Sequence, residues 1–131
     1  MIRTVKYNRK EHEEIIHKWW QGHGWPTVPH QALPQFGLIA LLNDKPSAVG
    51  FIYKTDSCIA WLEWILKDPE LKSDKRDSVL DVLIKDLIQY AKDQGFRIVF
   101  TSIENKYLGK RLSSHGFRSN DSNMTNMTLA L

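Results

Sequence analysis

Residues 78–94, SVLDVLIKDLIQYAKDQ, place Val79, Val82, Leu83, Leu87 and Tyr90 or Ala91 at helical spacing, and Gly95 follows where a left-handed C-terminal cap is favoured. This amphipathic helix stands between two apolar runs, CIAWLEWIL over residues 58–66 and RIVFTSIE over residues 97–104. Strand, helix and strand in that order make the two strands parallel neighbours in one sheet, since a parallel pair needs a crossover of about a dozen residues or more. RIVFTSIE is apolar on both faces, as buried parallel strands are.

The rest of the sheet reads as antiparallel. LIALLN and SAVGFIYKT flank Asn43-Asp44-Lys45-Pro46, a hairpin-turn composition, and the turn Thr55-Asp56-Ser57 leads into CIAWLEWIL, giving a three-strand meander. Residues 2–7, IRTVKY, alternate as a half-buried strand does. Asn8 is placed to cap a helix through KEHEEIIHKWW that Gly22 and Gly24 end, with Ile15, Ile16, Trp19 and Trp20 on one side. Residues 21–37, QGHGWPTVPHQALPQFG, hold three prolines without a period and read as a long ordered loop, a class that often carries function. NKYLGKRLSSHGF reads as a short helix ended by Gly116, and MTNMTLAL as a terminal strand. The expected fold class is α+β, a central mixed, mostly antiparallel sheet flanked by helices, in a single domain over residues 1–131.

Composition narrows the function classes. The 18 Lys and Arg are interspersed with 15 Asp and Glu, which dilutes any field and argues against a nucleic-acid face. No apolar stretch approaches the roughly 20 residues that cross a bilayer, and MIRTVKYNRKEHEE lacks the apolar core of a signal peptide, so the expectation is a cytoplasmic protein without a membrane partner. Cys58 is the single cysteine and reads as a small core residue. His12, His17, His23 and His30 lack the paired spacing of compact zinc sites, and no metal is expected.

The junction Lys72-Ser73-Asp74-Lys75-Arg76-Asp77-Ser78 joins a strand to the long helix, which the pattern starts at Ser78. A helix start presents free N–H groups to anions. Leu66-Lys67-Asp68-Pro69 precedes this junction, and a segment from Asn105 to Gly116-Phe117 lies further on. Together with the element order, these segments resemble the GNAT superfamily of acetyl-CoA-dependent N-acetyltransferases over nearly the whole chain. WWQGHGWP is similar to small GNAT-like proteins of phages and bacterial genomes. In the family a hydrophobic-x-x-Pro segment precedes a pyrophosphate loop, Gln/Arg-x-x-Gly-x-Gly/Ala, and the later segment reads Asn-x-x-Ala-x-x-x-Tyr-x-x-x-Gly-Phe. Here Lys72 takes the Gln/Arg position, Lys75 and Asp77 replace both glycines, and Leu112 replaces the tyrosine thought to protonate the departing thiolate.

The resemblance implies a GNAT-like fold, acetyl-CoA as co-substrate, and acetyl transfer to a small-molecule or peptide primary amine. It puts cofactor contacts on Ile65, Leu66 and Lys67, whose main chain would pair with pantetheine as an added strand, on Lys72, Ser73, Asp74, Lys75, Arg76, Asp77 and Ser78, and on Asn105. Glu63, flanked by Trp61, Leu62 and Trp64, stands where several family members place a general base. Trp20, His23, Trp25 and His30 would shape the acceptor groove. The residues by themselves allow other roles. KSDKRDS also reads as a charged turn with Asp74, Asp77 or Ser78 capping the helix, Glu63 as a solvent-facing residue opposite Leu62 and Trp64, Asn105 as a helix cap, and Trp19 or Trp20 as core. The lost glycines and tyrosine keep a second function open, a non-catalytic GNAT-fold module binding a protein or peptide partner.

Overall fold

Five strands follow one another across a single sheet in sequence order, in a computed structural model that describes residues 1–131: Ile2–Lys6 (β1), Phe36–Leu42 (β2), Lys45–Lys54 (β3), Ile59–Lys67 (β4) and Ile98–Phe100 (β5). Neighbours from β1 to β4 are antiparallel, and β5 joins β4 in parallel. The crossover between β4 and β5 is the long helix Ser73–Asp93 (α2); Arg9–His23 (α1) follows β1 and Lys106–Ser114 (α3) follows β5. The architecture is the expected α+β one. Asn43 and Asp44 have φ of 49° and 68°, the conformation of a two-residue type I′ turn, and close the hairpin of β2 and β3.

Alternation along the strands sends side chains to two cores, one on each face of the sheet. On one face Ala40, Ala48, Ile52, Ala60 and Leu62 meet Val79, Leu83, Ile84 and Leu87 of α2 and Leu112 of α3. On the other, Ile39, Leu41, Val49, Phe51 and Leu66 meet Tyr7 and the Ile16, Trp19 and Trp20 side chains of α1. Trp19 and Trp20 are thus core residues. The Asn8 carboxamide caps α1 by accepting from the Glu11 N–H, and Gly24, at φ 72°, closes it.

Two irregularities interrupt the ladders, one between β2 and β3 at Ala40 and Leu41 and one between β3 and β4 that shapes the site. Phe51 pairs with Glu63 and Val49 with Leu66, so Gly50 alone opposes Trp64 and Ile65. This β-bulge holds Trp64 at φ 58°, in the left-handed region that bulky residues seldom occupy. Gly50 stands opposite it, where a Cβ would lie 2.6 Å from Leu87 Cδ1 and push that buried side chain aside. The bulge turns Trp64 away from the α2 face and packs it against the α1 face, the side that Glu63 shares through its pairing with Phe51. Glu63 therefore opposes Leu62 but not Trp64.

Four expectations are corrected. The segment 118–131 forms no strand, and Met124, Met127 and Leu129 are exposed. An alternating pattern becomes a strand only where a neighbour supplies a ladder, and no strand of the sheet pairs with this segment. RIVFTSIE is a strand only over Ile98–Phe100 and lies at the sheet edge, leaving Ile98 51% and Phe100 40% exposed instead of buried on both faces. Cys58 is exposed in the turn before β4. Finally, α2 begins at Ser73, not Ser78, because a junction without glycine can continue the helix backwards.

Candidate active site

β4 and β5 share only the pairs Ile59–Ile98, Ala60–Val99 and Trp61–Phe100. Beyond them the Thr101 hydroxyl donates to the Leu62 carbonyl at 2.7 Å, a side chain completing the ladder where the main chain stops. From there β4 continues to Lys67 without a partner on that edge. A cleft of about 590 Å³ opens in the gap, with Glu63, Trp64, Ile65 and Leu66 on the β4 wall and Ser102, Ile103, Glu104, Asn105 and Leu108 on the other. Trp20, Trp25 and the segment Pro26–Pro29 of the long loop complete it.

The α2 end of this region departs from a glycine loop. Lys72 is the N-cap residue, with φ −65° and ψ 144°, and no side chain caps the helix. Its carbonyl accepts from Lys75 and Arg76, each at 3.0 Å, while Asp74, Asp77 and Ser78 do not cap. Asp77 instead faces α3, accepting from the Tyr107 hydroxyl at 2.6 Å and pairing with Arg111 at 2.9 Å. The Tyr107 hydrogen bond, with Arg111 and Arg76 beside it, holds this carboxyl below the usual carboxylate range. Arg76 is drawn the same way. Its guanidinium stacks over the Tyr107 ring, 4.1 Å from the centroid, so only Lys72 and Lys75 of the three expected cations extend freely from this turn. Asn105 accepts from the Tyr107 and Leu108 N–H groups, capping α3 while lining the cleft. Leu112, where the resemblance expects a tyrosine, is 2% exposed in the α2-facing core and brings no proton donor to the cleft.

At the other end, Glu63 is half-buried. Desolvation pushes its carboxyl above the usual range, partly offset by hydrogen bonds from the Trp61 indole, at 3.0 Å, and from the Trp64 main chain. The Trp64 indole donates to Tyr53 Oη at 2.8 Å, and Tyr53 donates to the Ala32 carbonyl at 2.6 Å, tying β4 to the 3₁₀ turn His30–Ala32 of the loop. His23 Nε2–H donates to the Lys67 carbonyl at 2.8 Å and stacks on Trp25 with centroids 4.3 Å apart. Gly22 lets α1 approach this corner, since a Cβ would lie 2.7 Å from Pro69 Cγ.

The structure thus gathers Trp20, Trp25, Glu63, Ile65, Leu66 and Asn105 at one cleft. Residues 72–78 stand apart from its lining, on the first turns of α2. His23 backs Trp25 instead of lining the cleft, and His30 lines a second, smaller cavity of about 200 Å³ with Glu13, His17 and Leu33. Thr101, Tyr53 and Arg111 were not foreseen. Gly50 in the middle of a strand was a readable sign of the bulge; the others left none, because their partners lie far along the chain.

No protein-family model matches the sequence, and no curated protein matches it significantly. Solved structures do match in fold. AAC(6')-Iy, solved with the bisubstrate analogue CoA-S-monomethyl-acetylneamine, is 17% identical with a TM-score of 0.71, and the match covers 99% of each chain. A GNAT family acetyltransferase from Streptococcus pneumoniae is 16% identical with a TM-score of 0.71 over 98% of each chain. An aminoglycoside acetyltransferase from an uncultured soil metagenomic sample is 14% identical, with a TM-score of 0.69 over 99% of this chain and 96% of that one. The fold is therefore that of the GNAT acetyltransferases, as the resemblance implied.

Proposed function

We propose that the chain is a GNAT-type N-acetyltransferase that moves an acetyl group from acetyl-CoA to a primary amine. The observation that carries this reading is the opened edge of β4, where Glu63–Leu66 faces a cleft with no strand paired on that side. Unpaired strand groups accept an amide-bearing chain as they would an added strand. Ile65 and Leu66 are best placed to hold pantetheine, because the Lys67 carbonyl already accepts from His23. The uncapped first N–H groups of α2, at Ser73 and Asp74, with Lys72 and Lys75, supply positive charge for the pyrophosphate. Asp77 leaves that position free by turning to α3.

When bound, acetyl-CoA supplies an activated acyl group whose C–S bond breaks as the amine nitrogen forms the C–N bond. Glu63 takes the amine proton; desolvation raises its affinity for protons and makes it a stronger base than an exposed glutamate. Trp61 orients the carboxylate through its indole N–H. The departing sulfur meets no tyrosine, since Leu112 is buried in the core, and is protonated by water. No helix of the protein is long and apolar enough to cross a membrane.

Incubation of the full chain with acetyl-CoA and a panel of primary amines, followed by thiol release, tests the reading. Amine-dependent thiol release abolished in Glu63→Gln supports it. Absence of both turnover and any melting shift at millimolar acetyl-CoA overturns it and leaves the binding-module reading.

A further inference from the structure

The acceptor end of the cleft has a definite chemistry. Trp20, Trp25, Val28 and Trp64 form its walls, and the only ionisable side chains in the whole lining are Glu63 and Glu104. Trp64 is fixed in place by the bulge, by its bond to Tyr53 and by the tie from Tyr53 to Ala32, so its ring presents a rigid face. Trp25 is braced from behind by the stacked His23 ring, which the Lys67 carbonyl holds.

We propose that the acceptor is a primary amine carried on an apolar alkyl or aryl body without phosphate or carboxylate, of the phenethylamine kind. This assignment rests on the transferase reading and names the substrate class of that same cleft. An ammonium group is drawn by the two carboxylates and by indole faces, while an apolar body is desolvated against Trp20, Trp64 and Val28. A phosphorylated or carboxylated amine meets two like charges and no lysine, arginine or histidine in the lining. A polyhydroxylated amine sets hydroxyl groups against indole faces that cannot replace their hydrogen bonds to water.

Two measurements separate this inference from the reading beneath it. Tryptophan fluorescence of the full chain, titrated without acetyl-CoA, is expected to show saturable quenching by phenethylamine at least tenfold tighter than by glucosamine 6-phosphate or neamine. Equal or weaker binding of phenethylamine overturns the substrate class. Thiol release with acetyl-CoA then asks about chemistry. Binding of phenethylamine without acetylation supports the recognition and overturns the transferase reading; faster acetylation of either sugar amine overturns the recognition and upholds the transferase. Trp25→Ala, at a side chain 51% exposed and outside the core, is expected to raise the KM for phenethylamine about fivefold to tenfold with the KM for acetyl-CoA unchanged. An unchanged amine KM removes Trp25 from the wall and counts against the class.

Discussion

At the acceptor end of the cleft, side chains are held by hydrogen bonds that involve no ion pair and end on main chain: Trp64 to Tyr53 to Ala32, and His23 to Lys67. At the α2 end they are held by charge pairs between two helices, Arg76, Asp77 and Asp81 against Tyr107, Arg111 and His115, with the carboxylates partly open to water and Arg111 and His115 largely covered. Water and salt screen the second set far more than the first. The first set therefore fixes geometry, and the second tunes how two helix ends meet. Changes at the acceptor end are expected to be large and salt-independent, and those at the α2 end small and screened.

The largest expected effect is on chemistry at the buried end. Glu63→Gln is expected to lower kcat/KM about 10²- to 10³-fold, the scale of one general base, with acetyl-CoA affinity unchanged. In the unsubstituted protein, activity should fall as pH drops through a pKa above the ordinary glutamate value of about 4.3. The stability effect has the opposite sense. A carboxyl whose pKa is raised by folding binds more protons in the native state, so stability declines as pH rises through that window. Glu63→Gln should thus raise Tm at neutral pH, with the gain vanishing below about pH 4. A variant that loses Tm at neutral pH would place Glu63 among structural groups.

Trp64→Ala tests whether the acceptor wall is also a structural tie. Loss of a large, partly buried aromatic and of its bond to Tyr53 should destabilise the fold by about 3 kcal/mol, or roughly 10 °C in Tm for a chain this size. A loss unaffected by 1 M salt fits the contrast drawn between the two ends. One that shrinks with salt breaks it.

What was legible in the sequence follows the same division. The helices and the meander came from periodicity, which reports the environment of each residue's own neighbours; the split of the core between the two faces of the sheet did not. The cleft lining contains Trp20, Trp25, Glu63 and Asn105, of which Trp25 and Asn105 sit beside helix ends that the pattern revealed. The bulge at Trp64 and the Thr101 bond to Leu62 depend on pairings 12 to 39 residues apart and leave no local period. The junction KSDKRDS misled for a related reason. Its charges suggested a turn, yet Arg76 and Asp77 are helical because α3, some 30 residues later, supplies their partners.

Leu112→Tyr restores the residue that the resemblance expects and asks whether this chain could use it. Leu112 packs with α2 residues in a filled core, so the added ring and hydroxyl should cost about 1–3 kcal/mol by overpacking. No gain in kcat is expected. A faster variant of unchanged Tm would mean that the side chain reaches the cleft and that the core around α3 is looser than its burial implies.

Asp77→Asn makes the smallest change and probes the α2 end most directly. The Tyr107 hydroxyl, then Arg111 and Arg76, keep this carboxylate ionised to lower pH than usual. A pKa depressed by folding means that the native state binds fewer protons than the unfolded one, so the stabilisation is fully present above the unfolded value of about 3.9 and is lost as pH falls through the folded value. The variant lacks it at every pH. Its Tm should therefore lie slightly below that of the unsubstituted protein near neutrality, and the two should converge as pH falls below about 4 or as salt is raised. Because the carboxylate faces α3 and not the helix start, acetyl-CoA affinity should stay within about twofold. A tenfold gain would mean that Asp77 faces the anion, and that the charge pairs with α3 give way when the pyrophosphate arrives.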